Sequence, residues 1–306
     1  MIKSLLLSLV FAASSSAFAS APSLNHFQSG LQRTRAALQT AAAQPGELKE
    51  LLRRFESNDT ISRINALNGL KAHVFSSSEA RRSVLAAYKN ISEDYDIRRR
   101  CAKTLSFATM YPAVQDALLS TAENPTEAPD LRGLSYKALY AELSRDESGR
   151  SPLIGRIVSA VKTESDPVIR RGAIWALFPV SELPFVNKPL LHIGMWDENK
   201  DVRVDALKSL YRAMGDANIA QSVKKIALDK SEDRLVRFPA VLLLSSIRSL
   251  EIDDLFFKIV ADSSEHRTIR SAASIAFDRQ SVHLKYYFRL PRVDQDGSPA
   301  DPLSAE

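Results

Sequence analysis

Cysteine is almost missing from this chain. Cys101 is the only one in 306 residues, so no internal disulfide can brace the fold and packing must supply its stability. Glycine is sparse too, at ten residues. No G-x-S-x-G, G-x-G-x-x-G or phosphate-binding loop occurs, which argues against enzymes that cradle phosphates or carry a nucleophile elbow. The five histidines, His26, His73, His192, His266 and His283, are scattered. None has a second His or a Cys three or four positions away, the spacing of a helical metal pair, and Glu265-His266 is an isolated dipeptide. No metal and no cofactor is therefore expected. Two S-x-x-K matches, Ser159 to Lys162 and Ser222 to Lys225, lack the partner K-T-G of penicillin-interacting enzymes and are no more than chance supplies.

A long hydrophobic run is absent as well. The most apolar stretch covers residues 5–13, well short of the ~20 residues a membrane span needs. With Lys3 before it and Ala17-Phe18-Ala19 after it, this stretch reads as a secretory signal peptide over residues 1–19. A periplasmic or secreted protein is expected, with its mature start near Ser20. In that setting Cys101 reads as a small buried residue rather than a nucleophile. The formal net charge is +5. Residues 291–306 set one Arg against Asp294, Asp296, Asp301 and Glu306, so the body is basic and the tail acidic. An acidic partner or envelope polyanion fits that balance, while export argues against nucleic acid.

One arginine recurs at nearly constant spacing. Arg63, Arg98, Arg132, Arg170, Arg203, Arg237 and Arg270 are separated by 35, 34, 38, 33, 34 and 33 residues. An aliphatic residue precedes each except the first, where Ser62 stands. Three positions later come Ala66, Cys101, Ser135, Ala173, Ala206, Ala240 and Ala273; seven later come Leu70, Leu105, Leu139, Leu177, Leu210, Leu244 and Phe277. A period of this length marks a solenoid, in which each unit buries its apolar face against its neighbours. Asp59, Asp94, Asp166 and Asp233 lie four positions before their arginines, where a carboxylate caps a helix and complements its dipole. From each arginine onward the apolar residues follow helical spacing. Further helices are expected near 80–89, 113–122, 154–162, 219–228 and 252–261. Breakers separate them, including 179–184, and 146–152 forms a surface insertion. A capping helix is expected over 31–42, ended by Pro45-Gly46.

The pattern Asp-x-x-x-aliphatic-Arg-x-x-small-x-x-x-Leu, as from Asp233 through Arg237 and Ala240 to Leu244, resembles HEAT-type repeats, including the short variety of bilin-lyase-like bacterial proteins. The resemblance covers about residues 47–281 and implies an all-α, right-handed solenoid of about seven two-helix repeats. It also implies that the repeated Asp and Arg form a structural ladder between units. Ala128, Asn199 and His266 replace the Asp and depart from the pattern. Proteins of this kind are chiefly scaffolds and binding surfaces.

Five aromatics cluster in the fourth and fifth units: Trp175, Phe178, Phe185, Trp196 and Tyr211. Helical spacing puts Trp175 and Tyr211 in the core, and loop positions put Phe185 and Trp196 at the surface as candidate partner-binding residues. Val282, Leu284, Tyr286, Phe288 and Leu290 alternate with His283, Lys285, Tyr287 and Arg289, a period of two that reads as an extended segment over 282–290. It caps the last helices, or offers Tyr286, Tyr287 and Phe288 to a partner strand. Residues 20–46 would link the signal peptide to the repeats, and 291–306 would be disordered. The expected function is an exported protein-binding scaffold or adaptor, or an inhibitor or immunity-type partner of a cell-envelope protein, with no catalysis of its own. The alternative is an enzyme acting on cell-wall polysaccharide from a helical scaffold.

Overall fold

The computed structural model describes residues 45–277, apart from 147 and 248, and divides into two compact units. Residues 45–247 belong to the first and 249–277 to the second. The signal peptide, the linker and the 31–42 helix, the 282–290 segment with Tyr286, Tyr287 and Phe288, and the tail all lie outside the described residues. Every regular element among those described is helical.

The first unit is a stack of helix pairs. In chain order the helices are α1 (Pro45–Phe55), α2 (Thr60–Leu70), α3 (Ser78–Lys89), α4 (Tyr95–Leu105), α5 (Pro112–Glu123) and α6 (Pro129–Ala138). The short α7 (Tyr140–Leu143) comes next, then α8 (Pro152–Thr163), α9 (Pro167–Leu177), α10 (Pro184–Trp196), α11 (Lys200–Ser209), α12 (Ala217–Leu228) and α13 (Arg234–Leu244). Six pairs result, α1 with α2, α3 with α4, α5 with α6, α8 with α9, α10 with α11 and α12 with α13, and the second helices also pack on one another in sequence. This is the all-α solenoid arrangement. The second unit contributes one more pair, α14 (Leu250–Ala261) and α15 (Arg267–Phe277).

The periodic small and bulky residues explain the packing. Ala66, Cys101, Ser135, Ala173, Ala206 and Ala240 are fully buried, as are Leu70, Leu105, Leu139, Leu177, Leu210 and Leu244. Ser135 takes the place of an alanine because its hydroxyl meets the buried Tyr88 hydroxyl at 2.6 Å, which satisfies two polar groups in a dry core. Phe277, the seventh member of the bulky set, is exposed at the end of α15. The repeated aspartates accept hydrogen bonds from the first-turn amides: Asp59 from Ser62 at 2.8 Å, Asp94 from Ile97 at 3.0 Å, Asp166 from Val168 at 2.7 Å and Asp233 from Leu235 at 2.8 Å. Such caps satisfy amides that a helix start leaves without partners.

The repeated arginines reach other carboxylates. Arg63 Nε donates to the Phe55 carbonyl at the end of α1, while its two terminal nitrogens meet Glu93 at 2.8 and 2.6 Å. Arg98 spans from the Tyr88 carbonyl to Glu127, and Arg132 from the Ala122 carbonyl to Glu164. Arg170 donates to the Glu164 and Ser165 carbonyls and to Asp197 at 2.9 Å, and Arg203 joins the Gly194 carbonyl to Glu232. Each guanidinium thus ties the end of its own repeat's first helix to the loop of the following repeat. Two donors of Arg237 meet the Ala227 carbonyl; Arg270 lies in the second unit, where its Nε is buried without an acceptor among the described residues. The acids stand five or six positions before the next arginine, beside the capping residue, and a shifting offset hides them from a fixed pattern.

Pro45 and Gly46 open α1, and the helix they were expected to end, over 31–42, lies outside the described residues. One element differs from the sequence expectation: Pro184 sits at the start of α10, so Phe185 lies on a helix and not in a loop. Proline is well placed there, since the first helical turn has no acceptor for its missing N–H. Between α6 and α9 the backbones nearly touch. A Cβ on Gly133 would lie 2.6 Å from the Val168 carbonyl oxygen, and one on Gly172 would overlap the Gly133 carbonyl. Only glycine permits that approach.

Candidate functional site

The helix α10 carries both aromatics expected at the surface. Phe185 is 50% exposed and Trp196 69% exposed. Eleven residues separate them, close to three turns, so they share a face, and exposed Lys188 and His192 fall between them on the same stripe. Beside this stripe runs an open groove of about 770 Å³ between α8 and α10, lined by Lys162, Lys188, Pro189, His192, Trp196 and Glu198 among others. Glu164 and Asp197 also reach it, but both are held by ladder arginines. The stripe survives as exposed apolar area because the opposite face of α10 supplies the buried Val186, Leu190 and Ile193.

A second surface was not foreseen. On four of the second helices, the position five after the repeat arginine carries Lys103 in α4, Lys137 in α6, Trp175 in α9 and Lys208 in α11. Trp175 is half-buried rather than part of the core, and the Lys137 ammonium lies 5.1 Å from its ring centroid. Tyr211, likewise expected inside, is half-buried. The period that puts a residue on a helix's packed face puts it equally on the edge of that face, so helical spacing alone could not separate the two.

Burial dominates the titration along this row. Burial pushes the Lys208 amine below its ordinary range, with Asp205 and Asp201 opposing and Arg171 adding to the shift. Lys137 is lowered by burial first and then by Arg171 and Lys103, against Asp205. Lys103 is lowered by burial, Arg99 and Arg100, and Lys71 by burial, Lys103 and Arg100. The deepest carboxylate of the row, Asp205, is 2% exposed and already accepts from Arg171 Nε at 2.7 Å. Lys103, Lys137 and Lys208 form no ion pair among the described residues. Lys103 is exposed, whereas Lys137 and Lys208 are half-buried. The +5 offset of Lys103, Lys137 and Lys208 was legible in the sequence, but Trp175 interrupts it.

Cys101 is buried and its thiol is pushed up to about 12, by burial first and by Glu93 second, so it is no nucleophile. Among the described residues no three His, Cys, Asp or Glu side chains converge as metal ligands, and no helix is long and apolar enough to cross a membrane.

No family model and no curated protein sequence matches this chain. Solved structures do. The YibA protein of Escherichia coli aligns over 81% of this chain and 88% of its own, with a TM-score of 0.53 and 18% identity. The CpcE–CpcF complex of phycocyanin lyase from Nostoc covers 75% of this chain and 86% of its own, at a TM-score of 0.42 and 17% identity. Human deoxyhypusine hydroxylase covers 81% and 90%, at 0.36 and 16%. At these identities the likeness concerns the fold, which is that of HEAT-like helical repeats. One expectation is corrected by it: the sequence reading took the chain to have no catalysis of its own, yet helical arrays of this kind include a lyase and a hydroxylase. The fold does not exclude an enzyme, and neither activity passes to this chain on so distant a likeness.

Proposed function

We propose that this chain is an exported helical-repeat scaffold that binds another protein of the cell envelope, as an adaptor or as an inhibitor or immunity-type partner. The observation that carries the reading is the α10 stripe, which holds Phe185 and Trp196 in solvent on one face of a helix whose other face is well packed. Large aromatics kept in water have an energetic cost that a protein interface removes, and they anchor such interfaces more often than other residues do. Export is supported by Lys3, the apolar residues 5–13 and Ala17-Phe18-Ala19. A chain whose one thiol is buried and protonated also suits an oxidising compartment.

The test is site-specific photocrosslinking in cells from a position beside Trp196, followed by fractionation. A stoichiometric adduct with one envelope protein, lost in the Phe185→Ser/Trp196→Ser double variant while melting is unchanged, is the expected result. The same adducts in both proteins, or a chain confined to the cytoplasm with Met1 intact, would overturn it.

A further inference from the structure

The helix α14 is apolar on both sides. Ile252, Leu255, Phe256 and Ile259 are buried, while Leu250, Phe257 and Val260 keep 88%, 66% and 40% of their surfaces in water. Those three stand seven and three positions apart, so they form one stripe, opposite the buried set. A surface helix turns one apolar stripe to its core and a polar face to water, whereas a helix apolar all round is a covered one. The stripe is also flanked by acids. Glu251, Asp253 and Asp254 stand against the helix's one base, Lys258, which is bound to Asp254 at 2.6 Å.

The chain itself supplies a matching cover. The helices α14 and α15 are joined through 262–266 and pack side by side, so the end of α15 at Phe277 returns toward the Leu250 end of α14. Phe277 is itself 52% exposed there. Five peptide steps lead from Phe277 to Val282, a reach of up to about 17 Å, and packed helix axes lie only about 8–10 Å apart. From Val282 onward Leu284, Tyr286, Phe288 and Leu290 follow at period two, which in an extended chain gives one apolar face. That face would be about 26 Å long, and Leu250 and Val260 are separated by about 15 Å along the helix. Lys285 and Arg289 give the segment two bases and it holds no acid, a charge opposite in sign to that of α14. A tethered segment also acts at an effective concentration on the order of mM, which a separate partner has to overcome.

We infer that the exposed stripe of α14, formed by Leu250, Phe257 and Val260, is the docking site of residues 282–290 of this same chain. The segment lies extended along the helix, with Leu284 and Tyr286 turned onto it and Lys285 and Tyr287 turned to water. It closes the open end of the last helix pair in place of a further repeat. Two of the three aromatics expected to meet a partner there, Tyr286 and Phe288, are then taken up by the fold, and recognition is left to the α10 stripe.

The test places a photoreactive phenylalanine analogue at Phe257 of the full chain and irradiates the dilute protein. An adduct within one chain is expected, mapped by mass spectrometry to 282–290. Leu284→Ser/Tyr286→Ser should lower its yield about 5-fold or more, and Lys285→Ser/Tyr287→Ser should leave it unchanged, because alternate residues of an extended segment face opposite ways. Circular dichroism of each variant establishes that the helices are intact. A chain ending at 281 should bind a dye specific for exposed apolar surface more strongly than the full chain does. Adding Phe257→Glu/Val260→Lys to that shortened chain should abolish the increase, which separates an uncovered stripe from an unfolded helix. An adduct to residues 20–44, to a second copy or to an envelope protein would overturn the assignment, as would no adduct at all or equal losses in the two Ser variants. The crosslink from beside Trp196 is read separately, so this assignment and the scaffold reading can fail independently.

Discussion

The guanidinium of Arg98 joins three separate pieces of chain: its Nε donates to the Tyr88 carbonyl at 3.1 Å, and its terminal nitrogens meet Glu127 of the next repeat at 2.9 and 2.5 Å. Both side chains are buried, at 7% and 11% exposure. A pair so placed gains little over a well-packed apolar pair, but losing one partner strands the other charge in a dry site. Arg98→Ala is therefore expected to cost about 3–5 kcal/mol in urea denaturation. The double variant with Glu127→Ala should recover part of that loss. Arg203, 16% exposed with its partner Glu232 at 15%, should show a smaller effect of about 1–3 kcal/mol on truncation to Ala. Equal and additive losses at both sites would mean the bonds do not couple neighbouring repeats.

Glu93 gives the ladder a pH dependence. The hydrogen bonds from Arg63 hold its carboxyl below the ordinary value, against the opposing effect of burial. The unfolded chain therefore binds a proton at this site more readily than the folded one. The stability it contributes is fully present above the unfolded carboxyl value, about 4.3. It is lost as pH falls through the lower folded value. Glu93→Gln should melt below the wild type at pH 7, and the two curves should converge as pH drops below about 4. Parallel curves down to pH 2.5 would show that no proton linkage resides at Glu93.

The stack was legible because a solenoid forces the same neighbours on every unit. Ala240 and Leu244 fill the same holes as Ala173 and Leu177, so the pattern repeats in the sequence. The caps were legible for a local reason, since Asp94 bonds an amide only three residues away. What crosses between repeats was not. Glu127 and Glu164 play one role at different offsets, five residues before Arg132 and six before Arg170. The surface row needed the packing of α4, α6, α9 and α11 on each other before Lys103, Lys137 and Lys208 became neighbours. Phe185 was placed at the surface from a loop that is in fact the first turn of α10. Pro184 signalled a break, and a proline starts a helix as readily as it ends one.

Two glycines in helices should respond oppositely to alanine. Gly172 lies against the backbone of Gly133, where an added Cβ would overlap a carbonyl that cannot move without separating α6 from α9. Gly172→Ala is expected to destabilise by about 1–3 kcal/mol or more, as overpacking does. Gly155, on the exposed side of α8, has nothing within 4 Å of its Cβ position. Gly155→Ala should stabilise by about 0.5–1 kcal/mol through helix propensity. Thermal melts of the two variants decide this: a neutral result at Gly172 would contradict the close crossing, and a loss at Gly155 would contradict the open space beside α8.

Lys208 should weigh against the stability of the fold. Burial lowers its amine, and the nearest compensating carboxylate, Asp205, is already engaged by Arg171. A half-buried ammonium without an ion pair penalises the folded state, although Asp205 and Asp201 offset part of the cost, so Lys208→Met should raise stability at pH 7 by up to about 1 kcal/mol, or roughly 2–4 °C in melting temperature. The sign of the pH dependence follows from the lowered folded value. Between that value and the unfolded one, near 10.4, the unfolded chain holds the extra proton, so raising the pH stabilises the wild type. Lys208→Met lacks this gain, and its advantage should shrink as the pH approaches 10. A variant that melts lower at pH 7, or whose advantage over the wild type does not change between pH 7 and 10, would show that the Lys208 amine is not the strained charge of this face.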